Sequence, residues 1–361
     1  MKNKNAAKNI IFKIVSIVIF VILISLVLLI LFLTITEFKP PLITSFEIED
    51  DGKEKVSFDT DLKITSLNIG YASLGEEADF FMDGGKGVLA NSKEEVEKNL
   101  KGIANILNEL NADFNLLQEV DTNSKRSFNI NQRKYFEENV FKTNSFYAEN
   151  YKTNYVPFPI PPMGKVDSGL VTSTNYSIDH AERRSLSVPF KWPVRLANLK
   201  RCLLITKLPI EDSDKELVII NLHMEAYDDT GGRETQTREL LDIMEAEYNM
   251  GNYVIAAGDF NQSLYDVSEL DFPNTEGHWT PGRIIEDILQ DGFKYHTGDK
   301  KIPTSRLNNK PYEKGSEDTY HYIIDGYLVS PNINVKSVET IDANFKYTDH
   351  NPVVMEFNIS E

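Results

Sequence analysis

The chain has 361 residues, of which 41% are hydrophobic and 26% charged, values close to those of folded globular proteins, so a disordered or collagen-like chain is excluded. Its formal net charge of −17 argues against a dedicated nucleic-acid binder that presents a basic face, because counterion-driven binding needs clustered cations. The single cysteine, Cys202, excludes an intrachain disulfide and a cysteine-rich zinc site, and its Leu-rich surroundings make it a small buried hydrophobe rather than a nucleophile.

In chain order, residues 1–13 form a short basic tail carrying Lys2, Lys4, Lys8 and Lys13. The 22 residues from Ile14 to Ile35 carry no charge. As a helix they span about 33 Å, against a hydrocarbon core of roughly 30 Å, so the run is long enough to cross a bilayer once. With no acidic residue before Glu37, the positive-inside rule keeps the N-terminus cytoplasmic and places the remainder outside the cell. A cleaved signal peptide is the competing reading, but its apolar region is roughly 7–15 residues long and ends in small residues. Thr34-Ile-Thr-Glu-Phe-Lys-Pro-Pro41 offers no such site, which favours an uncut anchor. The outer part carries 34 basic and 55 acidic residues, net −21; bound divalent cations or a local patch can still reverse the field at one site.

Residues 36–60, with Pro40-Pro41 and an acidic run from Glu47 to Asp51, read as an extracytoplasmic linker with one short strand. Residues 61–361 read as one domain. Its strands are expected at Leu62–Asn68, Phe114–Gln118, Asp167–Thr172, Leu203–Leu208, Leu217–Leu222, Tyr253–Gly258, Tyr322–Leu328 and Val353–Asn358. A helix over Lys93–Leu110 follows the cap residue Ser92 and puts Val96, Leu100, Ile103, Leu107 and Leu110 on one face. Thr235–Tyr248 and Pro281–Leu289 are the next expected helices. Short strands with helices between them give an α+β layered architecture, a β-sandwich wrapped by helices.

Six polar islands stand at the ends of these apolar runs. Thr65-Ser-Leu-Asn-Ile-Gly70 supplies Asn68; Leu116-Leu-Gln-Glu-Val120 supplies Glu119; Ile219-Ile-Asn-Leu-His223 supplies His223. Ala257-Gly-Asp-Phe-Asn-Gln262 supplies Asp259 and Asn261, Ile323-Ile-Asp325 supplies Asp325, and Tyr347-Thr-Asp-His-Asn-Pro352 supplies Asp349 and His350. Each alone is an ordinary turn or cap residue. Together they offer carboxylates and amides for a hard cation, two histidines for proton transfer and no thiolate.

These islands, their order and their spacing resemble the endonuclease/exonuclease/phosphatase superfamily over about residues 60–361, most specifically at Gly258-Asp-Phe-Asn261 and Thr348-Asp-His350. The resemblance implies a pancreatic deoxyribonuclease-like, four-layer α/β/β/α sandwich and a metal-dependent phosphoester hydrolase. By that likeness Glu119 is the principal metal carboxylate, with Asn68 and Asp349 completing the shell of Mg²⁺ (or Mn²⁺). His350 resembles the phosphate-contacting histidine, with Asp325 fixing its tautomer. Asp259 resembles the residue that aligns or deprotonates the attacking water, Asn261 a phosphate-oxygen donor, and His223 the second catalytic histidine, an acid for the leaving oxygen. Which of Asp259 and His350 is the base stays open.

Asn221-Leu-His-Met-Glu-Ala-Tyr-Asp228 with Arg233 and Gln236, and Pro303-Thr-Ser-Arg306, resemble a subset of the superfamily, and the resemblance makes Arg233 and Arg306 phosphate contacts; surface charge is the plainer alternative for each. Tyr155–Met163, with four prolines, is a stiff loop, either packed near the cleft or forming an apolar wall toward lipid or substrate. The expected substrate is a phosphoester, either a lipid or lipid-linked head group, which the tether favours, or nucleic acid. A noncatalytic binding module with the same fold is the alternative from a different class. No protein partner is inferable.

Overall fold

In the computed structural model, which describes residues 2–48, 53–141, 145–227, 231–263, 279–284, 289, 292–316 and 318–361, the helices are α1 (Lys2–Ile35), α2 (Lys93–Leu110), α3 (Gln132–Asn139) and α4 (Gly232–Asn249). The strands run β1 (Ile43–Ser45), β2 (Leu62–Asn68), β3 (Phe114–Asp121), β4 (Ser145–Val156), β5 (Gly164–Thr174), β6 (His180–Ser185), β7 (Cys202–Pro209), β8 (Glu216–His223) and β9 (Tyr253–Asp259). They continue as β10 (Gln262–Ser263), β11 (Gly282–Arg283), β12 (Lys294–His296), β13 (Ser305–Arg306), β14 (His321–Tyr322), β15 (Asp325–Val329), β16 (Ile333–Thr340) and β17 (Val353–Ile359).

Alternation along each strand decides the layers, because successive side chains point to opposite faces. Leu62 and Ile64 of β2, Phe114 and Leu116 of β3, and Val353, Met355 and Phe357 of β17 share one core with Leu217 and Ile219 of β8, Tyr253 and Ile255 of β9, and Tyr327 of β15. Their neighbours of opposite parity face outward. Leu67 and Leu117 meet Val96, Leu100, Ile103 and Leu107 of α2, whereas Val218, Ile220, Leu222, Val254 and Ala256 meet Leu240, Leu241 and Met244 of α4. Each such buried aliphatic side chain contributes roughly 1.5–3 kcal/mol. Helix, sheet, sheet and helix therefore stack as four layers, the architecture expected from the sequence.

One sheet has the order β16-β17-β2-β3-β5-β4, and the other β1-β6-β7-β8-β9-β15-β12. In each, one pair is parallel and is joined by a helix crossing the outer face: β2 to β3 through α2, and β8 to β9 through α4. The Ser92 hydroxyl accepts from Glu95 N at 3.1 Å and starts α2 where its residue type predicts. The two crossovers bring the carboxyl ends of β2, β3, β8 and β9 to a common edge of the sandwich.

Three expectations change. The run Tyr322–Leu328 is two strands, because Thr304 Oγ1 takes the amides of Ile324 and Asp325 at 2.9 and 3.2 Å, so β14 pairs with β13 and β15 with β9. The expected helix Pro281–Leu289 begins instead as β11, parallel to β10; its residues 285–288 lie outside the described ones. The expected spacer 36–60 does hold its one short strand, β1, but its described residues pack onto the domain, with β1 antiparallel to β6 and Val56 wholly buried in the inter-sheet core; residues 49–52 lie outside the described ones. Helix α1 includes a stretch, Lys8–Ile35, long and apolar enough to cross a membrane.

Candidate active site

Strand parity puts the polar islands where the apolar core stops. On β2 the inward positions 62 and 64 lead to Asn68; on β8 positions 217 and 219 lead to Asn221 and His223; on β9 positions 253, 255 and 257 lead to Asp259. His223 is level with Asp259 across the parallel pair, and Asp259 is level with Asp325 across the antiparallel one. Just beneath, Gln118 Nε2 donates to Asn221 Oδ1 at 2.8 Å and Ser66 Oγ at 3.3 Å, and Asn221 Nδ2 donates to Val171 O at 2.8 Å. This buried bridge ties the two sheets together under the site. Its members stand about 50 and 100 residues apart in sequence, so no local pattern marks them.

Glu119 breaks the alternation and reaches the site for that reason. Its φ of 55° lies in the left-handed region, and the β3–β5 register shifts between Leu117 and Val120, a bulge that re-aims the side chain. Behind it, Asp121 accepts from Arg126 Nε and Nη2 at 3.1 and 2.9 Å and from Ser127 Oγ at 2.7 Å. The Arg126 guanidinium lies 3.6 Å over the Tyr71 ring. This pair is fully buried, so removing one partner strands a charge. Asp121→Asn should cost about 3 kcal/mol of stability, read as a lowered denaturant midpoint at unchanged m; a midpoint within error of the parent would show that the pair does not support the bulge.

The side chains of the polar islands converge by hydrogen bonding. Asn68 Nδ2 donates to Asp259 Oδ2 at 3.1 Å and to Glu119 Oε1 at 3.3 Å, while Gly70 N donates to its Oδ1 at 3.0 Å. Asp259 Oδ1 accepts from Asn261 N at 2.8 Å, and Asn261 Nδ2 donates to Met224 O at 3.0 Å, leaving its second N–H for another acceptor. His350 Nδ1 lies 2.9 Å from Asp325 Oδ2, and its Nε2 lies 3.3 Å from Ser305 Oγ and 3.8 Å from Asp259 Oδ2. His223 Nε2 is 3.4 Å from Asp259 Oδ2 and its Nδ1 4.0 Å from Glu119 Oε1. Only glycine fits at Gly258, where a Cβ would stand 2.0 Å from Leu222 O at a φ of 150°.

The environment separates the two histidines. Burial opposes protonation of His350, but the charge of Asp325 and its hydrogen bond, followed by Asp259 and Asp349, hold it up to about 10. Burial pushes His223 well below its usual value, with Arg201 and His350 adding to the effect. Burial and then the charge of Asp325 raise Asp259 to about 7. His223 Nδ1 and Asp325 Oδ1 are buried with no hydrogen-bond partner among the described residues, as expected of atoms that face a ligand.

Asp349 accepts from Thr348 Oγ1 at 3.3 Å and from Asn308 Nδ2 at 3.2 Å, and Thr348 Oγ1 also donates to Asn68 O at 3.0 Å. Asn308 N in turn donates to Asp83 Oδ2 at 2.9 Å. Asp83 and Asn308 carry no signal in the sequence; only the fold joins them. Arg306 differs from its expected role. Its buried guanidinium donates to Gly75 O at 2.9 Å and to the Leu307 and Lys310 carbonyls at 3.4 Å, and Arg306 N donates to Asp349 O at 3.1 Å. It clamps the backbone behind Asp349 instead of presenting a free cation to phosphate. Arg233, in the first turn of α4, lies against Gly282; Asp228, from the same motif, falls outside the described residues.

A cation suits this donor set. Glu119 and Asp349 offer carboxylate oxygen, as Mg²⁺ and Mn²⁺ require, while Asn68, its amide oxygen on Gly70 N, turns its NH₂ to Glu119 and Asp259 and supports the carboxylates. Glu119, Asp259, Asp325 and Asp349 crowd together against the cations of His350 and Arg306, and burial, with the charge of Glu119 adding, lifts Asp349 to about 6. Ligand atoms of Asp259, Asp325 and His350 also lie within 4.8 Å of one another, but the His350–Asp325 hydrogen bond engages those two with each other.

Residues 67–350 match the model of the Endonuclease/Exonuclease/phosphatase family. Among solved structures, an endonuclease/exonuclease/phosphatase from Beutenbergia cavernae is similar at 16% identity and a TM-score of 0.56, with 83% of this chain and 72% of that one covered. A functionally unknown conserved protein from Enterococcus faecalis is similar at 16% and 0.54, with 83% and 100% covered. D. rerio TDP2 complexed with single-strand DNA product is similar at 15% and 0.51, with 83% and 100% covered. At these identities the likeness shows a shared fold. Among curated proteins none matches. The family consists of divalent-metal-dependent hydrolases, and its matched span runs from just before Asn68 to His350, so it includes the site residues of all six polar islands. With its four-layer sandwich, its converging site and the family match over most of its length, this chain is a hydrolase of phosphoester bonds and belongs to the endonuclease/exonuclease/phosphatase family.

Proposed function

We propose that the chain is a membrane-anchored, extracytoplasmic Mg²⁺-dependent phosphoesterase that acts on a lipid or lipid-linked head-group phosphate. The hydrolytic reading rests on the convergence of Asn68, Glu119, His223, Asp259, Asp325 and His350 within hydrogen-bonding reach of one another. Glu119 and Asp349, supported by Asn68, hold the metal, which when bound supplies charge to draw electron density from the phosphate oxygens. Asp325 fixes His350 through Nδ1, so Nε2 points toward the space beside Ser305 and Asp259 and contacts a phosphate oxygen there. Asp259, held at Oδ1 by the Asn261 amide and at Oδ2 by Asn68, orients the attacking water and accepts its proton. Asn261 offers its second N–H to a phosphate oxygen, and His223 faces the leaving oxygen. Arg233 is a candidate second phosphate contact.

The lipid preference is supported by the rim. Phe158 and Ile160 of the proline-rich loop are 65% and 94% exposed, and the Phe158 ring meets Phe81 at 5.8 Å, two residues from Asp83. An exposed apolar rim fits acyl chains or a lipid surface, and the acidic domain repels a polyanion. The full chain in lipid nanodiscs, offered phospholipid vesicles and plasmid DNA in parallel, should release head groups with Mg²⁺ and stop on chelation, with activity restored by Mg²⁺ or Mn²⁺. DNA nicking without head-group release would make it a surface nuclease instead; metal binding without turnover of either would make it a binding module.

A further inference from the structure

The end of α1 is locked to the domain. Leu33 is buried, and α1 touches the short turn Val194–Ala197. Beyond the helix, the Glu37 side chain is only 4% exposed and takes three cations: Lys39 at 3.3 Å, Arg195 at 3.4 Å and Lys200 at 3.6 Å. One carboxylate against three cations leaves this corner net positive. Phe38 adds a second fixing point, its ring 5.6 Å from the Lys152 ammonium and 5.7 Å from the Arg183 guanidinium.

The charge pattern around this corner departs from the rest of the chain. From Arg183 to Ile210 there are seven lysines and arginines and no aspartate or glutamate, in a chain of net charge −17; Arg184, Arg201 and Lys207 pair with Glu182, Glu225, and Glu216 and Glu247, which leaves Lys191 with the Arg195 and Lys200 that share Glu37 as the cations of this corner. Within that stretch Trp192 and Val194 are 56% and 61% exposed, and Lys191 between Phe190 and Trp192 is exposed as well. A tryptophan, an aliphatic side chain and cations grouped at the mouth of an apolar helix are the residue types that settle at the boundary between hydrocarbon and head groups. A solvated face has no need of that combination, and elsewhere the surface is predominantly acidic.

We propose that Trp192 and Val194, flanked by Lys39, Lys191 and Arg195, form an interfacial contact that seats on anionic phospholipid head groups around the exit of α1. The inference rests on the reading of α1 as membrane-spanning. It adds that the catalytic domain is held in one orientation to the bilayer, since the helix end, the cationic corner and the tryptophan form a single unit.

The test places the full chain in nanodiscs of anionic or of zwitterionic phospholipid, with acyl chains brominated or not, and follows tryptophan emission. Brominated anionic lipid should quench a component of emission that Trp192→Phe removes, that is weaker in zwitterionic lipid, and that Lys191→Glu reduces, with thermal melting unchanged in both variants. Emission in which Trp192→Phe abolishes no bromine-sensitive component, while the chain still co-purifies with its nanodisc, would overturn the contact and leave the anchor intact. A chain that does not stay with the bilayer would overturn both.

Discussion

His350→Ala lowers kcat/KM by about 10³-fold or more on any phosphoester the enzyme accepts, while the variant stays folded with a lowered melting temperature. A positioned acid or base contributes roughly 10²–10⁴, and a donor aimed at developing charge contributes roughly 10²–10³; His350 is placed to serve the phosphate in either capacity. Its removal also leaves Asp325, 2.9 Å away and almost wholly buried, without its counter-charge. Asp325→Asn then serves as the complementary variant. It keeps the shape and a hydrogen-bond partner but loses the charge that orients and protonates the ring, so it should fall between the parent and His350→Ala. Steady-state kinetics on the substrate found in the vesicle and DNA comparison decides the matter, with thermal melting beside it. A His350→Ala enzyme within about threefold of the parent would remove this residue from the chemistry.

The parts of this fold legible in the sequence are those where one physical signal acts alone. Tyr253–Gly258 is an apolar run buried on both faces, Leu62–Asn68 carries the apolar and β-branched residues Leu62, Ile64, Thr65 and Leu67, and the structure puts strands at both. The Lys93–Leu110 helix has both its cap and its apolar face in local sequence. Strands at a sheet edge or next to one are harder to see. Ser145–Val156, His180–Ser185 and Ile333–Thr340 carry many polar and charged residues because one face meets solvent, so no apolar run marks them. Pro281–Leu289 has helical spacing, but its first residues pair with Gln262–Ser263, and tertiary pairing overrides a short periodic signal.

The site divides in the same way. Asn68, His223 and Asp259 terminate apolar strands, so parity alone brings them to one face, and the structure does gather them. The aim of Glu119 depends on a bulge that no residue type announces. Arg306 reads as a phosphate contact in a polar loop, yet the carbonyl of Gly75, 231 positions away, captures it. Asp83 meets Asn308 across 225 positions. Contacts of that range are properties of the fold, and single-sequence reasoning has no handle on them.

Glu119 carries the second large effect. Glu119→Gln keeps the volume and one oxygen but removes the charge with which the side chain would hold a divalent cation, and it leaves Asn68, which donates to Glu119 and Asp259 alike, with a weaker acceptor. The expected result is a fall in kcat of about 10²–10³ at saturating substrate, the range for losing one electrostatic stabiliser of the transition state. The Mg²⁺ concentration needed for half-maximal rate should rise by roughly tenfold or more, which corresponds to about 1.4 kcal/mol. Stability separates the metal from a structural role. Because a ligand that binds only the folded chain stabilises it, Mg²⁺ held by Glu119 should raise the melting temperature of the parent by mass action, and that shift should shrink in Glu119→Gln. If Mg²⁺ stabilises the variant as much as the parent and at the same concentrations, the metal sits elsewhere. The cluster of Asp259, Asp325 and His350 would then be the next place to look.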